Sequence, residues 1–276
     1  MKFAFSTNAF RNFSFKSAAG IITDAGYTGI EIMCDTPHAF PDELSGKDID
    51  DIKESLEKNH LEISNLNAFM MCAVQDFHHP SWIEEDKTFR QARIKYTLDC
   101  IDLAADLGAR TISTEPGGPL EGMAHETATR IFIEGLSEVL PHAREKGILV
   151  LIEPEPDLLI ETSDQYLTFL DEFNHPNLGL NFDIGHFYCM GEDPIDSIIK
   201  LKDHTRHYHL EDIPENREHR HILPGQGGID LKGVLNTIEK TGFSDYITVE
   251  LYPYLDDPGR AAAQARTYIK ESCGYE

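Results

Sequence analysis

The sequence has few cysteines and lacks any long apolar run. Its five cysteines are odd in number and include no C-x-x-C pair, which argues against a disulfide framework or a structural zinc knuckle. It has no stretch of about 18 apolar residues, which a membrane span requires. The N-terminus turns polar too early for a signal peptide. We therefore expect a soluble, cytoplasmic protein with no membrane partner.

Positive charge is also scarce. The chain has 24 Lys and Arg against 48 Asp and Glu, a formal net charge of −24 at pH 7. Such a surface repels phosphate backbones, so we expect no nucleic-acid partner. The charge does not exclude a small anionic substrate, because a few local cations can override the average field. No G-x-G-x-x-G or G-x-x-x-x-G-K-[ST] follows the first predicted strand, which argues against a nucleotide-binding fold.

The chain instead alternates short apolar strands with longer amphipathic helices. The predicted strands are KFAFSTN, TGIEIM, LEISNLNAF, RTISTEP, ILVLIEPE, LGLNFDIG, RHYHLED and YITVEL. Between them, residues such as Ile94, Leu98 and Ile101 recur at helical spacing, and Gly108 and Gly147 stand where helix C-caps are expected. Eight strands in alternation with helices predict an α/β fold, a (β/α)8 TIM barrel in a single domain.

Four polar residues follow four apolar runs in the second half of the chain. They are Glu153, Asp183, His209 and Glu250. A buried charge without a partner is costly, and a divalent cation is the simplest way to hold three carboxylates together. Carboxylate and imidazole ligands suit Mn²⁺, Mg²⁺, Co²⁺ or Zn²⁺. The pattern predicts one divalent metal ion at the barrel mouth; the alternative is that each side chain caps a helix or pairs with a neighbour.

Two further segments carry candidate substrate-binding residues. His186 follows Asp183 by three residues, which would carry it over the barrel mouth as a substrate or second-metal contact, or leave it solvated in a loop. The loop after the seventh strand contains Arg217, His219 and His221 before a glycine-rich turn. Arg217 is suited to a carboxylate, a phosphate or a hydroxyl group, and His221 adjoins the glycines. The alternative is a charged surface loop.

Three residues in the first half of the chain are candidates for the cavity wall. Asn67 faces the same way as Asn65 near the end of the third strand. Glu115 follows the fourth strand and either lines the pocket or belongs to a tight turn. Trp82 would supply an apolar wall over the pocket. We assign Asn67 and Glu115 to substrate binding.

At these residues the chain resembles the xylose isomerase-like TIM-barrel superfamily, in its sugar-phosphate isomerase/epimerase branch. The resemblance covers nearly the whole chain, so residues 1–276 are expected to form one such domain. The motifs that carry it are IEP at Glu153, NFDIGH at Asp183 and His186, HLED at His209, LPGQGGID at 223–230 and VEL at Glu250.

The resemblance implies an activity and a set of roles. Glu153, Asp183, His209 and Glu250 would hold one divalent ion, and Glu153 and Glu250 would also move the proton. His186 and Arg217 would contact substrate. The implied enzyme is a metal-dependent isomerase or epimerase of a sugar, keto-polyol or related α-hydroxycarbonyl compound, acting through an enediolate. Its partner would be a small carbohydrate-like molecule, and homo-oligomers are common among such relatives.

Other functions stay open at this point. A dehydratase or lyase acting on a keto-polyol would use the same enolate and then expel water. An apurinic endonuclease-like zinc phosphodiesterase shares the barrel, and His219 and His221 stand where that branch has a D-x-H element. Its early histidines are not convincingly matched by His78 and His79. A noncatalytic sugar-binding barrel is a third alternative.

Overall fold

Eight parallel strands close into one barrel in chain order in the computed structural model, which describes residues 1–275. The strands are β1 (Lys2–Ser6), β2 (Gly29–Met33), β3 (Glu62–Asn67), β4 (Thr111–Thr114), β5 (Leu149–Ile152), β6 (Leu178–Asp183), β7 (Thr205–Leu210) and β8 (Tyr246–Val249). Each lies within or overlaps a predicted apolar run. The predicted single-domain (β/α)8 TIM barrel is confirmed as a fold class.

Helices connect consecutive strands around the barrel, and a last helix follows β8. They are α1 (Phe15–Asp24), α2 (Gly46–Asn59), α3 (Lys87–Leu107), α4 (His125–Lys146), α5 (Ser163–Glu172), α6 (Ile184–Cys189), α7 (Pro194–Leu201), α8 (Leu231–Lys240) and α9 (Pro258–Tyr268). The predicted C-caps Gly108 and Gly147 end α3 and α4 with left-handed φ values of 79° and 72°. Within residues 1–275, no helix is long and apolar enough to cross a membrane.

Strand register brings polar side chains to the inner face of the barrel. Residues paired across neighbouring parallel strands face the same side, and the pairs include Asp183 with His209 and Glu31 with Asn65. Register shifts immediately precede Glu31 in the β2–β3 pair and Asn181 in the β6–β7 pair. Such irregularities re-aim side chains near functional sites.

Apolar side chains fill the layer between the barrel and its helices. Trp82 belongs to this layer: it is 1% exposed, and its ring centroid lies 5.7 Å from that of Phe132 in α4. Its Nε1–H donates to Thr114 Oγ1 at 3.0 Å. The prediction that Trp82 covers the pocket is therefore wrong, because the loop after β3 turns this ring into the helical layer.

Candidate metal centre

The four strand-end residues of the predicted metal site come together at one point. Glu153 directly follows β5, Asp183 ends β6, His209 lies in β7 and Glu250 directly follows β8. One ligand atom from each side chain lies within 4.8 Å of the others, and all four residues are buried. The carboxyl ends of parallel barrel strands share one mouth, which is why positions distant in sequence meet here.

His209 is the centre of this group. Its Nδ1 lies 2.8 Å from Glu153 Oε1, 3.6 Å from Glu250 Oε1 and 3.7 Å from Asp183 Oδ2. Its other ring nitrogen, Nε2, lies 2.8 Å from Glu31 Oε2. Burial opposes a charge on the ring, yet the Glu153 and Glu31 carboxylates raise the pKa of His209 well above its usual range.

The donor set fits a divalent cation. Glu153 Oε2 and Asp183 Oδ2 are buried and find no hydrogen-bond partner within residues 1–275. Burial also raises the pKa of Glu153 and, further, that of Glu250. One imidazole can offset at most one of the three carboxylate charges that face it, and a cation held by oxygen and nitrogen ligands would supply the rest.

Hydrogen bonds from neighbouring residues hold two of the carboxylates in place. Asn8, in the 3₁₀ turn after β1, donates through Nδ2 to Glu250 Oε1 at 2.7 Å, and Asn67 Nδ2 donates to the same oxygen at 3.3 Å. Asp183 caps α6, because its Oδ1 accepts the His186 backbone N–H at 2.8 Å. These bonds leave Asp183 Oδ2 directed at the group.

Three histidines lie beside the four-residue group. The ring centroid of His186 is 4.8 Å from that of His219 and 5.6 Å from that of His221. Burial lowers the pKa of His186 to about 3 and that of His221 to about 4, so both imidazoles are neutral near pH 7. One nitrogen from each of the three lies within 4.8 Å of the others, so this trio could also hold an ion.

A cavity opens next to both groups. Its lining consists of Asn67, Phe69, Met70, Phe77, Glu153, Glu155, His186, His219, Glu250 and Tyr252. Two predicted substrate-binding residues, Asn67 and His186, are thus at the cavity wall. A third, His221, is buried behind Tyr252, whose ring centroid is 4.7 Å away, and its Nδ1 lies 3.1 Å from the Glu250 backbone oxygen.

Arg217 does not reach the cavity. Its side chain is exposed, stacks on Tyr188 at 4.4 Å and donates through Nη1 to the Tyr188 backbone oxygen at 2.8 Å. The backbone at Arg217 has a φ of 61°, in the left-handed region that non-glycine residues seldom adopt. The structure therefore places this predicted substrate contact on the surface.

Glu115 also lies apart from the cavity lining. Strand β4 ends at Thr114, so the inward alternation stops one residue before Glu115. Its side chain is fully buried, with Oε1 3.4 Å from Arg93 Nη2. Burial raises the pKa of Glu115 to about 7, although Arg93 opposes that shift. The expected substrate contact is instead half of a buried pair.

Three buried glutamates were not singled out from the sequence. Glu31 contacts His209, Glu155 lines the cavity, and Glu211 accepts the Gly185 backbone N–H at 2.5 Å. Burial raises the pKa of Glu155 and of Glu211 well above the usual range. A signal for Glu31 was present, since it is a charged residue in the middle of the apolar strand GIEIM.

Comparison with known proteins defines the family. Residues 20–272 match the xylose isomerase-like TIM-barrel family, and the chain belongs to it, as the motifs predicted. The chain is 23% identical to inosose dehydratase of Clostridium beijerinckii, over 95% of this chain and 91% of the relative. It is 27% identical to fructoselysine 3-epimerase of Escherichia coli O157:H7, over 88% of each chain.

A solved structure shares the whole barrel. The crystal structure of IOLI protein with a bound zinc atom superposes with a TM-score of 0.80 at 22% sequence identity. The match covers 99% of this chain and 98% of that one. This likeness extends the fold assignment over essentially the full length of the chain.

Proposed function

We propose that this protein is a divalent-metal-dependent isomerase or epimerase of a sugar, keto-polyol or related α-hydroxycarbonyl compound. The observation that carries the proposal is the convergence of Glu153, Asp183, His209 and Glu250 within 4.8 Å at the barrel mouth. The reaction class agrees with the name of the epimerase relative. The zinc atom in the IOLI structure supports a metal in this barrel.

The four residues would hold one ion of Mn²⁺, Mg²⁺, Co²⁺ or Zn²⁺. When bound, such an ion supplies Lewis-acid polarisation of adjacent carbonyl and hydroxyl oxygens. The carbon next to a polarised carbonyl becomes more acidic, so a nearby carboxylate can remove its proton. The substrate would bind at the barrel mouth beside the four residues, where Glu153 and Glu250 line the cavity.

Glu153 and Glu250 are the proton-transfer pair in this proposal. They follow β5 and β8, strands that are not neighbours in the barrel, and both line the cavity. Two carboxylates placed on different sides of a planar intermediate can remove a proton from one face and return one to the other. Asn8 and Asn67 orient Glu250 for this role through their hydrogen bonds to Oε1.

Substrate hydroxyl groups would be bound by polar residues of the cavity. His186 and Asn67 line it, and the neutral imidazole of His186 can both donate and accept a hydrogen bond. The Nδ1 of His186 lies 2.9 Å from the Pro154 backbone oxygen, so an Nδ1–H donated there leaves Nε2 as an acceptor. Phe69 and Tyr252 supply apolar walls for the carbon skeleton.

A dehydratase is the second candidate, and Glu155 favours it. This carboxyl lines the cavity only two residues from Glu153. Loss of water needs an acid that protonates the departing hydroxyl group, and a third carboxyl next to the proton-transfer pair can supply it. The inosose dehydratase relative points the same way. Both reactions begin with removal of the same type of proton.

One experiment tests the shared step and separates the outcomes. The protein, loaded in turn with Mn²⁺, Co²⁺, Mg²⁺ or Zn²⁺, is incubated with ketohexoses and inososes in D₂O and followed by NMR. We expect deuterium at the carbon next to the carbonyl, and chelation should abolish it. A changed stereocentre identifies an epimerase, a moved carbonyl an isomerase, and loss of water a dehydratase. Absence of both turnover and exchange with every metal and substrate, or turnover that survives chelation, contradicts the proposal.

A further inference from the structure

Glu31 contacts His209 on the side of the imidazole ring opposite to Glu153, Asp183 and Glu250. It is in the middle of β2 and fully buried. Its Oε2 is 2.8 Å from His209 Nε2, while Nδ1 of the same ring is 2.8 Å from Glu153 Oε1. The imidazole thus has one nitrogen at the site and the other against a carboxylate that is not one of the four proposed ligands.

The two nitrogens of the His209 imidazole can have different roles, one binding a cation and the other donating a hydrogen bond. Nδ1 can bind a cation only through its lone pair, which requires the ring proton to be on Nε2. A carboxylate at hydrogen-bond distance from Nε2 accepts that proton's hydrogen bond and thereby favours this tautomer. Glu31 is therefore placed to present the Nδ1 lone pair of His209 to the centre.

Glu31 is itself held by amide groups and reaches a second ligand through one of them. Asn65 Nδ2 donates to its Oε2 at 2.9 Å, and Asn67 Nδ2 lies 3.3 Å from its Oε1. The same Asn67 nitrogen is 3.3 Å from Glu250 Oε1. A single carboxylate thus contacts one ligand directly and another through one amide.

We infer that Glu31 is a positioning residue that orients His209, as its Nε2-protonated tautomer, for binding of a divalent cation. The inference rests on the proposed function, because it assumes that the four-residue group binds a metal ion. It assigns no contact between Glu31 and substrate. Its effect should therefore appear in metal binding and in the state of the His209 ring, apart from any turnover.

The test uses Glu31→Gln, which keeps the side-chain size but removes the carboxylate. Titration calorimetry with Zn²⁺ should show an affinity about 10- to 100-fold lower than that of the wild type, as for other partners of metal-bound histidines. In a His209→Gln background, Glu31→Gln should change the affinity by no more than about twofold, because the one proposed ligand that Glu31 contacts directly is gone.

Histidine ¹⁵N NMR of the zinc-loaded protein supplies a second measurement. The signals that disappear in His209→Gln identify this ring. In the wild type they should show a protonated Nε2 and a metal-bound Nδ1, and Glu31→Gln should shift the Nε2–H resonance. Glu192→Gln is the matched control, since Glu192 accepts the Ser163 N–H at 2.9 Å on the helical layer and contacts none of the four proposed ligands. It should bind zinc as the wild type does.

The outcomes separate this inference from the proposed function. A wild type that binds no ion at the four residues removes the proposed function. A wild type that binds zinc, with Glu31→Gln within about twofold of it, removes only the role of Glu31. An equal loss in the His209→Gln background also overturns that role. Should Glu31→Gln fold poorly, Glu31→Asp keeps the charge but withdraws it by one methylene. An unchanged zinc affinity in Glu31→Asp would also overturn the role of Glu31.

Discussion

Arg93 and Glu115 form a buried pair in which Nη2 and Oε1 are 3.4 Å apart and neither side chain is exposed. Arg93 also donates through Nε to the Pro80 backbone oxygen and through Nη1 to that of Phe69, each at 2.7 Å. The pair therefore ties the loop after β3 to the end of β4. Since Phe69 lines the cavity, this tie also supports one of its walls.

The pair predicts a pH dependence of stability. Burial raises the pKa of Glu115 from 4.5 to about 7. Between these pH values the folded chain keeps a proton that the unfolded chain has released, so the free energy of unfolding falls as pH rises. The stabilisation is fully present below about pH 4.5 and is lost as pH passes 7. Its full extent is about 3 kcal/mol, from the size of the pKa shift.

Glu115→Gln should remove this contribution. Urea unfolding of the wild type and the variant at pH 5 and at pH 7 measures it. We expect the wild type to lose more stability than the variant over that interval, by an amount of about 1 to 3 kcal/mol. Equal pH slopes in the two proteins would mean that Glu115 is ionised throughout and paired with Arg93.

The sequence predicted the strands and the four-residue group for the same reason. A buried parallel strand is a short apolar run, and its carboxyl end faces the barrel mouth, so the polar residue that ends each run is placed by topology alone. This rule applies to Glu153, Asp183, His209 and Glu250. It did not single out Glu31, because Glu31 lies in the middle of its strand and contacts His209 on the side of the ring opposite to the other three residues.

The positions of loop side chains were predicted less accurately than those of the strand ends. Glu115 was assigned to substrate binding, but β4 ends at Thr114 and the Glu115 side chain is buried against Arg93. Arg217 was proposed from its residue type and from the resemblance, but its side chain lies on the surface against Tyr188. The direction of a loop side chain depends on turns and on distant partners, such as Arg93 for Glu115, and neither is visible in a local pattern.

The glycine turn after β7 predicts a large effect of a small change. The Asp212 carboxylate accepts the backbone N–H groups of Gly225 and Gly227, each at 2.9 Å. A methyl group at Gly227 would overlap the Ile213 backbone oxygen and that carboxylate. Gly227→Ala should therefore lower the free energy of unfolding by about 1 to 3 kcal/mol, measured by urea unfolding.

Gly20→Ala is the control for this change. Gly20 lies within α1, and a methyl group there would meet nothing within 4 Å. The higher helix propensity of alanine should raise stability by about 0.5 to 1 kcal/mol. Similar losses in both variants would show that the tight contact around Gly227 is not the cause.

Cleavage of abasic DNA should be absent or trivial. The formal net charge is −24, and Glu115, which directly follows β4, is buried against Arg93 and is not free to bind a further metal ion. The His186, His219 and His221 trio is the feature that favours the opposite outcome. Zinc-loaded protein should be incubated with an abasic duplex at low salt. Rapid incision that depends on zinc would promote the phosphodiesterase alternative.

Glu250→Gln gives the sharpest test of the proton-transfer roles. Glutamine keeps an oxygen that can bind a metal ion, and the Asn8 and Asn67 amides that hold Glu250 Oε1 remain. It has no basic carboxylate, so removal of the proton should slow by a factor of about 10² or more, as for the loss of a general base. We expect the variant to retain much of its metal and to lose most deuterium exchange from D₂O.

Glu62→Gln is the control for this test. The Glu62 side chain is 64% exposed and pairs with Lys2 at the far end of β3, so this variant should catalyse exchange at the wild-type rate. Unimpaired exchange in Glu250→Gln would eliminate the role assigned to Glu250. Turnover by the wild type without any solvent deuterium would instead indicate a shielded proton transfer or a hydride shift.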